Sequence, residues 1–530
     1  MSHESGQSGS STPLILAIGL VIALYAGAAA MGWPQAGTQM VVDAAAHADH
    51  GADDHGHGDH AKGEHAAEAK PVPATWTVLP FALLLGCIAV LPLVPATSHW
   101  WESNLHRFYV AAGLGLITLI YYGFMYGKPI DRHFLGHAVI EPTGSFFESG
   151  ISWTVIQNAM LNEFIPFIML LFALYTISGG IRIEGDLAAR PEVNVAFLGA
   201  GALLASFIGT TGAAMLLIRP LIETNNERKY IQHTIVFFIF IVCNCGGLLL
   251  PIGDPPLFLG YLEGVEFLWT LWALWMPWLL VNLMLLAVYY VWDRFFAYPK
   301  EAKQDIAVDE LRTRRLKFSG MWPNALLLML VVAAVAMLDP AKTVPGTDWH
   351  PWMFLREIVL AGLIGASLVL GSKEVRQKNH FNYAAIIEVA ALFTGIFITM
   401  QPALQILNAR GAELGVNTPR EFFWASGTLS SVLDNAPTYL VFFNVAEALK
   451  MPEGTNYMAG VAVQLLMGIS LGSVFMGAMT YIGNGPNFMV KSIAEGAGVK
   501  MPSFFGYMVY SFAVLLPIFF IMTLVCLPAS

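Results

Sequence analysis

The chain has 530 residues, 56% of them hydrophobic and 12% charged, with a mean hydropathy of +0.60. That balance excludes an ordinary soluble globular domain, and apolar stretches of about 20 residues, enough to cross a hydrocarbon core of roughly 30 Å, recur along nearly the whole sequence. A net charge of −10, owed largely to the N-terminal region and the polar loops, argues against nucleic acid as a partner.

Residues 1–35 hold the first apolar segment, and because positions 1–12 lack the basic stretch of a signal peptide it reads as a retained membrane span. Residues 36–75 follow, with six histidines from His47 to His65 among acids, alanines and glycines, a composition that cannot build a core. We expect a disordered segment there, in which His55, His57 and His60 are weak candidates for zinc or nickel against a plain solvated linker. Scaffold spans at 76–96 and 107–127 occupy residues 76–150. A first transport repeat, 151–292, contains spans at 154–180, 231–262 and 267–292. A basic loop, 293–321, and further scaffold spans at 322–339 and 353–371, within residues 322–381, separate it from a second repeat, 382–530, with spans at 382–408, 459–494 and 504–528. Segments 193–222 and 421–449 differ, since Gly or Pro interrupts each near its middle and polar sequence flanks both ends. They read as re-entrant helical hairpins. The expected fold is an all-α polytopic membrane protein of about 11 spans plus two re-entrant hairpins, arranged as an inverted repeat with two broken helices.

Charge placement gives an orientation. Arg294, Lys300, Lys303, Arg312, Arg314, Arg315 and Lys317 crowd one loop, which the positive-inside rule puts in the cytoplasm. Alternation then places Arg228, Lys229, Lys373, Arg376, Lys378 and the N-terminus inside, and the histidine-rich segment outside. The four cysteines, Cys87, Cys243, Cys245 and Cys526, sit in apolar segments without disulfide or zinc spacing and read as packing residues.

The repeat leaves a trace in the sequence. "IGDPPLF" (252–258) aligns with "IGNGPNF" (482–488), pairing Asp254 with Asn484 about 230 residues away. Upstream lie the hairpin tips, "GTTGAAM" (209–215) and "VLDNAPT" (432–438). Unwound backbone in a membrane persists only where protein, water or a ligand satisfies its N–H and C=O groups, so paired breaks mark a binding site. An ionisable side chain near the bilayer centre costs about 3 kcal/mol, which makes Asp254 and Asp434 functional candidates. The structural alternative is a salt bridge to Arg219 or Lys491. Around them lie neutral oxygen and nitrogen groups suited to Na⁺ or Li⁺: Thr210, Thr211, Asn244, Ser430, Ser431, Asn435, Thr438, Thr480, Asn484 and Asn487. Any one of these alone fits helix capping or inter-helix bonding equally well. Glu163 and Glu388 also fall within spans, as proton carriers or polar helix contacts.

At "SSVLDNAPT" (430–438) and "PIGDPP" (251–256) the sequence resembles the ion-transporter superfamily, and within it the NhaD-type sodium/proton antiporters and the related citrate-transporter chains. The resemblance covers roughly residues 150–528. It implies an inverted-repeat carrier, usually a homodimer, with Ser430, Ser431, Asp434, Asn435 and Asp254 at an ion site between hairpin tips and broken helices. Two departures stand out: the first tip lacks the Ser-Asn-Thr tripeptide of dicarboxylate carriers, and Pro255-Pro256 replaces hydroxylated residues that often follow Gly-Asp in the antiporters.

Three functions follow. The first is exchange of Na⁺ or Li⁺ for H⁺ across a bacterial inner membrane, with no resident cofactor, the two ions competing for Asp434 as principal site and Asp254 as second. The second is cation-coupled uptake of citrate or another carboxylate with Arg219 as anion clamp. Two fixed aspartates at about 5 Å, repelling by roughly 3 kcal/mol at an effective dielectric near 20, count against it. An enzyme is not expected: an intramembrane aspartyl protease would use Asp254 and Asp434 as a dyad, but Pro251 occupies the first glycine position of a Gly-x-Gly-Asp pattern.

Overall fold

The computed structural model describes residues 12–53, 72–92, 94–134, 138–302, 304, 313–449, 451–452 and 454–528. Among them seven helices are long and apolar enough to cross a membrane, or eight if Thr75–Val90 and Pro95–Trp101, bent by 103°, form one span. Three shorter apolar helices, Gln232–Leu248, Met321–Met337 and Val463–Met479, lie among them. The only strands in these residues form three short two-stranded pairs. This is an all-α polytopic membrane fold. Its long helices leave Leu16, Trp272, Phe505 and Val509 well exposed on the outside, where apolar side chains are stable only against lipid.

The N-terminal region differs from the sequence expectation at one point. A helix runs through Trp33–Asp53, into the stretch expected to be disordered, because "QMVVDAAA" is rich in helix-compatible residues. Thr38 anchors it by donating to the Pro351 carbonyl at 3.0 Å. His55, His57 and His60 lie outside the described residues.

Two hairpins and two broken helices form the centre. The first hairpin packs Pro191–Ile208 against Thr210–Thr224, and the chain reverses at the single residue Gly209, whose φ of 78° a side chain would strain. The second hairpin packs Pro419–Ser430 against Asn435–Glu447, starting from a capping box in which Glu421 accepts from the Asn417 and Thr418 N–H groups. Those donors hold the Glu421 carboxyl below its usual range. The first broken helix is Gln232–Ile241 and Pro255–Leu262, and the second is Val463–Phe475 and Gly485–Gly496. Each hairpin's second arm crosses to the other repeat: Asn435–Glu447 packs on Pro255–Leu262, and Thr210–Thr224 packs on Gly485–Gly496.

The two breaks fold alike because glycines recur at the same places. A Cβ on Gly253 would strike the Gly247 carbonyl, and one on Gly483 would lie 2.6 Å from the Gly477 oxygen. Both breaks therefore close a turn of the same length through glycine-on-glycine contact. We expect Gly253→Ala to destabilise the protein by about 1–3 kcal/mol through overpacking, read as a lower Tm in detergent. Gly362→Ala, at a helical site with open space around it, should be neutral or slightly stabilising. Equal melting of the two variants would refute the close-contact explanation.

A buried ionic knot ties the first hairpin to the frame. Arg228, in the connection after the hairpin, binds the Asp293 carboxylate with both terminal nitrogens. Its Nε lies 3.4 Å from Glu301, while His233 and Tyr289 contact the Asp293 oxygens at 3.1 and 3.2 Å. Nearby, strand Arg182–Asp186 pairs with Arg314–Ser319 so that Glu184 faces Lys317 and Asp186 faces Arg314.

Candidate functional site

The breaks and tips converge on Asp254. This residue ends the first break and caps Pro255–Leu262, where the prolines supply fixed φ at the helix start and lack the N–H that would go unpaired there. The tip of the first hairpin docks on the same turn: Thr210 N–H donates to the Gly253 carbonyl at 2.8 Å, and its hydroxyl donates to Asp254 Oδ1 at 3.0 Å. From the second repeat, Asn484 Nδ2 reaches Oδ1 at 3.1 Å and Asn435 Nδ2 reaches Oδ2 at 2.7 Å. Asp254 is 1% exposed. Its hydrogen-bond partners are thus three neutral donors from three different elements, with no basic side chain among them.

Behind this shell runs a directed amide relay. Asn487 Nδ2 donates to the Gly477 and Thr480 carbonyls of the second break, so its oxygen is left to accept from Asn244 Nδ2 at 2.8 Å. Asn244 also donates to the Ile239 carbonyl, and its own oxygen faces Asn484 Nδ2 at 3.3 Å. Backbone carbonyls can only accept, which fixes the orientation of every amide in the chain. One polar atom is left over. Asn435 Oδ1 is buried with no hydrogen-bond partner, beside the Asp254 carboxylate that its own nitrogen contacts.

A carboxylate so deeply buried without a countercharge would cost several kcal/mol. The arrangement stores that cost unless a proton or a small cation joins it. The two Asp254 oxygens, Asn435 Oδ1 and the Thr210 hydroxyl together offer the hard oxygen donors that suit such an ion.

The remaining sequence candidates fall in different places. Asp434 is half-buried and caps the second arm of its hairpin, accepting from the Ala436 N–H at 3.1 Å, within electrostatic reach of Asp254 but bonded to a separate donor. Ser430, Ser431 and Thr438 turn their hydroxyls to the carbonyls of Ser473, Thr428 and Asp434. Thr480 donates to the Ser431 carbonyl at 2.6 Å, tying the second tip to its break. Thr211 is half-buried and is not a donor to Asp254. Arg219 lies nine residues beyond Thr210 in the same helix, about 13 Å along its axis, and donates to the Asn379 carbonyl at 2.6 Å. Lys491 pairs with Glu495. Neither of the basic residues named as salt-bridge partners for Asp254 is spent on it.

Glu163 occupies a π-helical stretch, Gln157–Phe164, away from the breaks. One of its oxygens accepts from Gln401 at 3.1 Å and the other is buried without a partner. Glu388 forms an ion pair with Arg107 at 2.8 Å. Sequence reasoning missed Gln401 and the Cys243 carbonyl, which accepts from Asn484 at 3.1 Å. The first carried a signal, a glutamine before proline inside an apolar span, while a backbone acceptor has none.

The family described as "Putative citrate transport" matches residues 70–527, most of the chain. No curated protein matches the sequence at a significant level.

Proposed function

We propose that this chain, which belongs to the family described as "Putative citrate transport", is a secondary carrier that exchanges Na⁺ or Li⁺ for protons at Asp254. The observation that carries this reading is the buried carboxylate held by Thr210, Asn435 and Asn484, with the unpartnered Asn435 oxygen next to it. A site of that make-up is neutral when it holds either a proton or one small cation. Two ions that neutralise the same group exclude each other, and exclusion at one site gives exchange. Carriers holding either ion would rearrange by moving one part of the repeat against the other, and the empty, charged site would be held back. Asp434, half-buried and within electrostatic reach of Asp254, adds a second negative charge that draws cations in.

A second reading, cation-coupled transport of citrate or another carboxylate, is favoured by the family description itself. Against it stands the absence of a basic side chain among the partners of Asp254 and the engagement of Arg219 with the Asn379 carbonyl. In the second reading the cation bound at Asp254 would form part of the anion's site.

Purified protein in liposomes separates the two. With a pH-sensitive dye inside, an inward Na⁺ or Li⁺ gradient should drive proton efflux without citrate, while labelled citrate should not accumulate. Citrate accumulation with no cation-driven pH change would reverse the order. Asp434→Asn, which keeps the helix cap, should raise the half-saturating Na⁺ concentration by about three- to tenfold, the value of roughly 1 kcal/mol for one nearby charge.

A further inference from the structure

The two repeats present the same backbone at the site with different chemistry. Asp254 and Asn484 are equivalent: each ends its break and caps the helix that follows, with φ/ψ of −143°/143° and −152°/140°. One is a carboxylate and the other an amide that donates to it. Around the Asn484 nitrogen three oxygens converge, Asp254 Oδ1 at 3.1 Å, the Cys243 carbonyl at 3.1 Å and Asn244 Oδ1 at 3.3 Å. An NH₂ group has two hydrogens, so three acceptors exceed what it can satisfy. A ring of oxygens converging on one donor group, and so on its positively polarised hydrogens, is the arrangement a cation would demand. The Asn487–Asn244 relay holds that ring in place from backbone carbonyls of the other repeat.

We infer that Asn484 is a specificity-determining residue: its amide nitrogen fills, as a neutral stand-in, the place of a second cation, and so restricts the carrier to one monovalent ion at Asp254. The inference rests on the proposed cation site at Asp254. With a carboxylate at position 484, two like charges about 3 Å apart could not both stay ionised unless a cation lay between them. The Cys243 carbonyl and Asn244 Oδ1 would then complete the shell of that ion. The added charge also favours a divalent ion, since carboxylate count raises affinity for hard divalent cations.

The test is equilibrium binding of Na⁺ and Ca²⁺ to the full-length protein in detergent, by isothermal titration and ²²Na⁺ or ⁴⁵Ca²⁺ scintillation proximity. Wild type should bind Na⁺ with a Hill slope of about 1 and show no measurable Ca²⁺ binding. Asn484→Asp should bind Ca²⁺ measurably, with an affinity at least about tenfold above the detection limit that wild type fails to reach, or take up two Na⁺ with a slope approaching about 2. A folded Asn484→Asp protein with one Na⁺ bound and unchanged Ca²⁺ behaviour would overturn the inference while leaving the Asp254 site standing. Loss of Na⁺ binding from wild type itself would instead overturn the underlying reading.

Asn484→Asp has a second control should it fail to give monodisperse protein. The exchange variant Asp254→Asn/Asn484→Asp moves the single carboxylate to its repeat-related position and restores the original charge. It should bind one Na⁺ and no Ca²⁺. A folded exchange variant that binds no cation would show that the two positions are not interchangeable and would overturn the inference.

Discussion

Asp254→Asn is expected to remove cation-driven proton movement altogether, lowering its initial rate by at least about 100-fold, to the background of empty liposomes. The expectation is specific to charge, because the protein around the substitution can still be satisfied. An amide at position 254 keeps one oxygen for Thr210 and Asn484, and presents its NH₂ where Asn435 now donates. Asn435 can answer by turning its side chain over, so that its presently unpartnered oxygen accepts from the new NH₂. The variant should therefore reach the membrane and melt near the wild-type temperature while failing to exchange ions. Asp254→Ala should do worse on both counts, since it strands three buried donors at about 1–3 kcal/mol each.

The pH dependence has a definite sign. If a proton and Na⁺ compete for one carboxylate, lowering the pH into the range where the site is protonated weakens apparent Na⁺ affinity by up to about tenfold per pH unit, and raising the pH restores it to a plateau. Binding of Na⁺ at the sloping end releases a proton, which calorimetry in buffers of different ionisation enthalpy measures. Asp254→Asn should flatten that profile. Sodium-driven proton flux that survives in a folded Asp254→Asn protein would end the proposal.

Much of the candidate site is legible in the sequence, and the reason is local. A Gly-Asp-Pro-Pro run in apolar sequence states its own break, its own helix start and its own charge, because glycine, proline and a buried carboxylate each have few physical uses in a membrane. The alignment of Ile252 to Phe258 with Ile482 to Phe488 likewise carried the pairing of Asp254 with Asn484. What was not legible depends on distance along the chain. Asp434 and Asp254 look equal in sequence, yet one caps a hairpin arm and the other is fully enclosed, a difference made by how the hairpin tip docks. Ser430, Ser431 and Thr438 have the right chemistry for an ion site, but Ser431 and Thr438 bond carbonyls three and four residues back in their own helices, and Ser430 bonds the Ser473 carbonyl of the second broken helix. The direction of the Asn487 to Asn244 to Asn484 relay is set by carbonyls that no residue type announces.

The charges at the base of the first hairpin were the least legible of all. Arg228 and Asp293 read as loop residues marking the cytoplasmic side, yet they are 7% and 0% exposed. Their pairing spans 65 positions and joins the connection after the hairpin to the end of the Trp269–Trp292 helix. Breaking it should have the second large effect. Arg228→Met removes the cation but leaves Asp293 enclosed, contacted only by the neutral Tyr289 hydroxyl and the His233 ring, while Glu301 loses its Nε contact and keeps the Lys229 and Tyr230 N–H groups. An uncompensated buried charge of this kind costs about 3–5 kcal/mol, enough to consume much of the stability of a typical domain. The expected result is a steep loss of folded protein in detergent and a Tm lowered by many degrees. Replacing both partners, Arg228→Met with Asp293→Leu, removes the charge along with its partner and should recover most of the loss, since apolar substitutes for a buried pair are often neutral. Thermal melts of wild type, the two single variants and the double variant form a cycle whose coupling term measures the knot directly. A single variant as stable as wild type, or a double variant no better than the worse single one, would show that the knot does not hold the hairpin's base.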